Sequence, residues 1–217
     1  MRFYKTFILL AAMPLAMSVA QASVFNGGAS LRNMSQPNSL TMHVDFDPAV
    51  TAKRAEKTIA DLGDQAISAL EAETDHSKRL AVFDRILNDS FDMDTIARFS
   101  LGRYWSVATP DEQKKYVRLF KKMVIDVYSQ RFEGYAGQKF DVKGSKPVGR
   151  KDVLVSSVIV SPHGKPPVKV DWRLRKGKII DVVVEGVSMS VTQRSEFNSI
   201  IQRNGGKVSA LIEHLEK

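Results

Sequence analysis

Cysteine is absent from all 217 residues, which excludes disulfides, thiol nucleophiles, thiolate metal sites and a lipid-modified N-terminal cysteine. Histidine is scarce. His43, His76, His163 and His214 stand far apart, and none falls in a metal-ligand spacing. No Gly-x-Ser-x-Gly, phosphate-loop or dinucleotide-binding glycine string occurs, so the familiar nucleophile and nucleotide signatures are missing too. No metal and no cofactor is expected. Basic residues do not interleave with aromatics in any run, and nucleic acid is not expected as a partner. The formal charge of +8 suits acidic membranes or phosphate head groups without requiring them.

What is there begins at the N-terminus. Arg2 and Lys5 precede an apolar run over residues 7–16, and Ala20-Gln21-Ala22 is a small-x-small cleavage site. That is the plan of a signal peptide over residues 1–22, cut near Ala22/Ser23. A membrane anchor needs roughly 20 apolar residues, and this run is shorter and broken by Pro14. An exported protein follows, most simply in a bacterial periplasm. Residues 23–47 carry Gly, Asn, Ser, Pro and Gln without periodicity and read as an extended or disordered lead-in. Residues 48–217 fit one domain with a single core, expected as a monomer.

That domain changes its period once. Helical spacing governs residues 48–70 and 76–88, the latter with Leu80, Phe83, Ile86 and Leu87 on one face. Residues 91–128 give two amphipathic helices with a capped restart between them. There Thr109 can cap, Pro110 suits the first helical position and Glu112 can reach back to the cap. After Gly137 the period becomes two. Strands are predicted from Phe140, over 152–161, over 168–175 and over 178–187, joined by short turns that imply an antiparallel meander. Helices over 191–204, stopped by Gly205-Gly206, and over 208–216 close the chain. The fold class is α+β: a curved antiparallel sheet of about four strands with helices packed on one face.

No chemistry is assembled along this chain. Asp92 and Asp94 read as first-turn acids favoured by a helix dipole, not as an acid/base pair. Asp181 and Glu185 fall in the fourth strand and are expected to be solvated or paired with Arg or Lys. Apolar surface, in contrast, is in surplus. Periodicity cannot tell a filled core from an apolar pocket between sheet and helices, because both give the same pattern.

The strings Phe91-Asp92, Ile96-Ala97-Arg98, Leu101-Gly102-Arg103-Tyr104-Trp105, Ala108-Thr109-Pro110 and Phe120, and then Val170-Asp171-Trp172-Arg173-Leu174, Asp181 to Ser188 and Arg194-Ser195-Glu196-Phe197, resemble the MlaC/toluene-tolerance family of periplasmic phospholipid-binding proteins. The resemblance covers about residues 50–215. The ending, Met189 to Phe197 with Ile201 to Gly206, is similar to the hopanoid-biosynthesis-associated branch of that family. The resemblance implies an NTF2-like, MlaC-like fold enclosing an apolar lipid pocket. It also implies a shuttle carrying a phospholipid or hopanoid-type lipid between outer and inner membranes. Its partners would be an inner-membrane ABC transporter complex and an outer-membrane lipoprotein complex.

On this reading the pocket is lined from the helices by Ile96, Phe99, Leu101, Tyr104, Trp105, Phe120, Val124 and Tyr128. From the sheet it is lined by Val158, Val160, Val170, Trp172, Val182 and Val184. Arg98 and Arg103, inside the shared motif, are candidates for contact with a lipid head group or a partner. An internal salt bridge with Glu185 or Asp92 is the competing and slightly preferred reading. Lys169, Arg173, Arg175 and Lys178 are expected to form an outward basic face. Two other functions remain open: a small isomerase- or dehydratase-like enzyme acting on an apolar substrate in the same cavity, and an interaction module with no ligand.

Overall fold

Proline at the head of an Ala-, Lys- and Glu-rich stretch starts helix α1, Pro48–Ala72. The computed structural model describes residues 48–72, 75–132, 137–162, 164 and 166–217. The signal peptide and lead-in expected over residues 1–47 lie outside them. Helix α2, His76–Ser90, is capped by the Asp75 carboxylate, which accepts from the Lys78 amide. Helix α3, Met93–Leu101, is capped in the same way by Asp92, which accepts from the Thr95 amide at 3.0 Å and its hydroxyl at 2.7 Å. Asp92 is thus the cap of α3, and Asp94 lies in its first turn.

A 3₁₀ turn, Gly102–Ser106, leads to helix α4, Pro110–Phe132. Its entry is the reciprocal cap that the spacing calls for. The Glu112 amide donates to Thr109 Oγ1 at 3.2 Å, and the Thr109 amide donates to Glu112 Oε2 at 2.9 Å. Thr109→Ala is expected to lower stability by about 1 kcal/mol, read as a shifted denaturant midpoint at unchanged slope.

The strands are β1 (Lys139–Val148), β2 (Asp152–Val160), β3 (Val168–Arg175), β4 (Lys178–Val184) and the two-residue β5 (Val187–Ser188). They lie side by side in chain order, each antiparallel to the next. The sequence expectation of about four strands thus gains one short edge strand. Helices α5 (Met189–Arg203) and α6 (Val208–Leu215) follow, and the Gly206 amide closes α5 by donating to the Ile201 carbonyl at 2.9 Å.

The interior divides into two apolar clusters. Leu101, Tyr116, Phe120, Phe197, Ile201 and Leu211 centre the helical one. Ala55, Ile59 and Leu62 of α1 meet Val153, Val155, Leu174 and Ile179 of the sheet in the other. Phe91 packs against both, and a short parallel bridge ties it to Ile179. Helix α1 lies close on β1: a Cβ on Gly63 would fall 2.3 Å from the Phe140 ring, and the Ser145 hydroxyl bonds to Ala52 and Glu56.

Candidate functional site

Cross-strand register decides which side chains share a face. Val170 stands opposite Ser157 and Val184, and Trp172 stands opposite Val155 and Val182. Ser157 in turn faces Val142, and Ile159 faces Phe140. These residues therefore line one face of the sheet, the face on which α1 packs. Val170 is buried, while Trp172, Val182 and Val184 are half-buried.

The polar atoms on this face are satisfied within it. The Trp172 indole N–H donates to Ser157 Oγ at 2.9 Å, and the Ser157 hydroxyl donates to the Val170 carbonyl at 2.9 Å. The Trp172 ring meets Phe140 edge-on at 6.1 Å. The result is a fixed indole and a surface that offers a ligand hydrocarbon rather than hydrogen bonds. Helix α1 adds Glu56 beside Ser145; the Ser145 hydroxyl and then Lys53 hold that carboxyl below its ordinary value.

The predicted lining residues do not all fall in one place. Leu101, Tyr104 and Phe120 are buried in the helical cluster, with Ile96 and Val124 at its half-buried fringe. Phe99 is 41% exposed and lies under Arg194, so it faces outward. Trp105 is half-buried against the helical cluster with Arg98 over its ring. The side chain of Tyr128 lies outside the described residues. Val158 and Val160 lie on the face opposite Val170 and Trp172, where they pair with Lys169, Asp141 and Lys139. The run Asp152 to Val160 is apolar at both parities, so its alternation alone could not show which set turns inward.

Other expectations change with the geometry. Arg98 and Arg103 form no salt bridge among the described residues. Arg98 stacks over Trp105, and Arg103 stacks over Tyr104 and donates to its hydroxyl at 3.2 Å. Their expected partners are engaged elsewhere: Asp92 caps α3, and the Glu185 carboxylate takes the Lys169 amide. Glu185 sits in the turn after β4, not in a strand. Asp181 pairs with no cation among the described residues. It accepts from Ser188 Oγ at 2.6 Å, Ser190 Oγ at 2.8 Å and the Ser190 amide at 3.1 Å, so β4 is stitched to the start of α5.

The outward basic face is largely neutralised. Arg173 and Arg175 both bind the buried Asp152 carboxylate at 2.6 Å, Lys169 lies 3.4 Å from Asp171, and Lys178 donates to the Asp89 carbonyl. Arg175, with Arg173, holds the Asp152 carboxyl below the usual range despite its burial. A depressed carboxyl contributes stability that is present above its unfolded value of about 3.9 and is lost as pH falls through the folded one. Asp152→Asn is therefore expected to cost roughly 1–3 kcal/mol near neutrality. The gap should narrow in acid, as measured by denaturation across pH.

A surface cleft of about 230 Å³ near the start of α3 has Asp92, Asp94, Lys121 and Lys178 in its wall. Its charges are already used, Asp94 by Lys121 at 2.9 Å. Among the described residues no helix is long and apolar enough to cross a membrane.

Comparison with known proteins follows the same lines. The family model described as MlaC protein matches residues 56–217. The intermembrane phospholipid transport system binding protein MlaC of Haemophilus influenzae is 24% identical over 124 residues, which is 54% of this chain and 57% of that protein. The chain thus spans little more than half the length of that relative. The toluene tolerance protein ttg2D of Pseudomonas putida is 23% identical over 161 residues, covering 70% of this chain and 73% of that one. A solved phospholipid-binding protein from Ralstonia solanacearum, in complex with a phospholipid, matches with a TM-score of 0.67 at 24% identity. The match covers 75% of this chain and 94% of that one, and it establishes the likeness of fold.

Proposed function

Since the chain belongs to the MlaC family, we propose that it is a periplasmic lipid carrier holding the apolar part of a phospholipid between its sheet and its helices. The observation that carries this reading is the divided interior. The Val170, Trp172, Val182 and Val184 face is apolar and internally hydrogen-bonded, and the helical cluster has its own separate centre. Acyl chains would lie against that face, with Ile96 and Val124 on the helical side and Leu101, Tyr104 and Phe120 as rigid backing.

The physics asks for nothing more. Each methylene exposed to water costs about 0.8 kcal/mol, so a bare sixteen-carbon chain would cost on the order of 12 kcal/mol in crossing an aqueous space. A dry face replaces the bilayer around the chain, while the head group stays in water. No catalytic group is required, and the protein acts as a carrier instead of an enzyme. Release requires binding close to balance with the membrane. The lipid would be exchanged with an inner-membrane ABC transporter complex and an outer-membrane lipoprotein complex.

Denaturing solvent extraction of the purified protein, followed by mass spectrometry, tests the proposal. A stoichiometric lipid is expected, and its mass distinguishes a two-chain phospholipid from a hopanoid-type cargo. Protein that is consistently empty and takes up no lipid from liposomes would sink the carrier reading.

A further inference from the structure

Three guanidinium groups gather where α3 runs into the 3₁₀ turn and meets α5, and each lies over an aromatic ring. Arg98 stands 5.7 Å from the Trp105 centroid, Arg103 stands 5.1 Å from Tyr104 and Arg194 stands 5.3 Å from Phe99. Gly102, with φ of +61°, permits the junction: a Cβ there would fall 2.6 Å from Arg194 Nε. None of the three arginines meets a carboxylate among the described residues, in contrast with Arg173 and Arg175 on Asp152. Asp94, one turn before Arg98, is held by Lys121 instead.

Stacking uses the flat face of a guanidinium and leaves edge N–H donors for other acceptors. Phosphate oxygens suit such donors, and a planar fork can bind them two at a time. The apolar groups nearby are unusually open. Phe99 is 41% exposed, and Val191, one turn before Arg194 on α5, is 54% exposed. Fixed cations set among exposed aromatic and aliphatic groups have the composition of a surface that rests at a bilayer interface.

We propose that this surface docks the protein onto an anionic phospholipid bilayer. Positive charge at the three arginines complements the lipid phosphates, while Phe99 and Val191 enter the head-group layer, where an acidic protein surface would leave them no apolar partner. The inference goes beyond the carrier reading, because it concerns where the protein lands and not what it holds.

Sedimentation with vesicles tests it, using the whole mature protein. Vesicles of phosphatidylglycerol and phosphatidylethanolamine are expected to bind it, phosphatidylcholine vesicles far less, and added salt should weaken binding by screening. Replacing Arg98, Arg103 or Arg194 by Gln should weaken binding about five-fold each and about 100-fold together. The triple change Lys146→Gln, Arg150→Gln and Lys207→Gln, removing three exposed charges elsewhere, should weaken it far less. If the arginine triple variant fails to fold, Val191→Asp, an acid that the first turn of α5 tolerates, should still reduce binding several-fold. Equal binding to both vesicle types, full binding by the arginine variants, or an equal loss in the control triple would each overturn the proposal. So would a patch needed only for a protein partner. Cargo measured in the unmodified protein from the same preparation tells a failed carrier reading from a failed docking surface.

Discussion

Trp172→Asp is expected to remove bound lipid by roughly 100-fold or more, whereas Val158→Asp should leave carriage within about three-fold of normal. Both positions sit in the same sheet, and the register puts them on opposite faces. A carboxylate at Trp172 would face Val155 and Val182 with its ion-solvating water displaced by acyl chains. That desolvation costs several kcal/mol unless the acid is protonated or the lipid leaves. At Val158 the new acid would stand beside Lys169. Lipid retained per protein, measured by extraction after a circular dichroism check of folding, is the readout. A folded Trp172→Asp protein with its normal complement of lipid would show that the cargo lies elsewhere.

The largest stability effect should come from Tyr116. It has no exposed surface, its ring meets Phe120 and Phe197 at 5.9 Å, and its hydroxyl donates to the Ala97 carbonyl at 2.9 Å. Tyr116→Ala should therefore cost about 3–5 kcal/mol, because it opens a cavity where α3, α4 and α5 meet. Tyr116→Phe keeps the volume, loses the hydrogen bond and should cost about 1 kcal/mol. Burial pushes the Tyr116 phenol far above its ordinary value of 10.0. An acid raised in the folded state gives stability that is intact below the unfolded value and declines above it. Above pH 10 the unfolded chain can release this proton and the folded one holds it, so stability should fall by up to about 1.4 kcal/mol per pH unit. Alkaline unfolding profiles should be shallower for Tyr116→Phe; identical slopes would exclude Tyr116 as the source.

The Thr109-Pro110-Asp111-Glu112 restart was legible because a capping box is made by neighbours, and it forms as spelled. The inward parity of β3 was legible because Val168, Val170, Trp172 and Leu174 alternate with charges. The parity of β2 was not, since Val153, Val155, Val158 and Val160 satisfy either assignment until a partner strand is in place. Asp181 departs from its sequence expectation for a similar reason. Its serine partners arrive only when the chain folds back through Glu185 and Gly186. The stacking of Arg98 and Arg103 on rings follows no spacing rule, whereas a carboxylate partner is what their charge suggests. Arg194 takes its place only through the close approach at Gly102, which no local pattern reveals. Ser157 carried one available signal, a polar side chain inside an apolar strand that needed a partner.

Trp105 and Trp172 are the only tryptophans in the chain, and they stand at the two places where the protein is proposed to act. Trp172 is locked by Ser157 against the inner face, while Trp105 lies under Arg98 at the helical junction. The protein thus carries two tryptophan fluorophores with separate assignments. Filling the slot should alter the emission of Trp172, and arrival at a vesicle should alter that of Trp105. With Trp105→Phe and Trp172→Phe to separate the signals, loading and landing become two events that can be timed in one cuvette without a label.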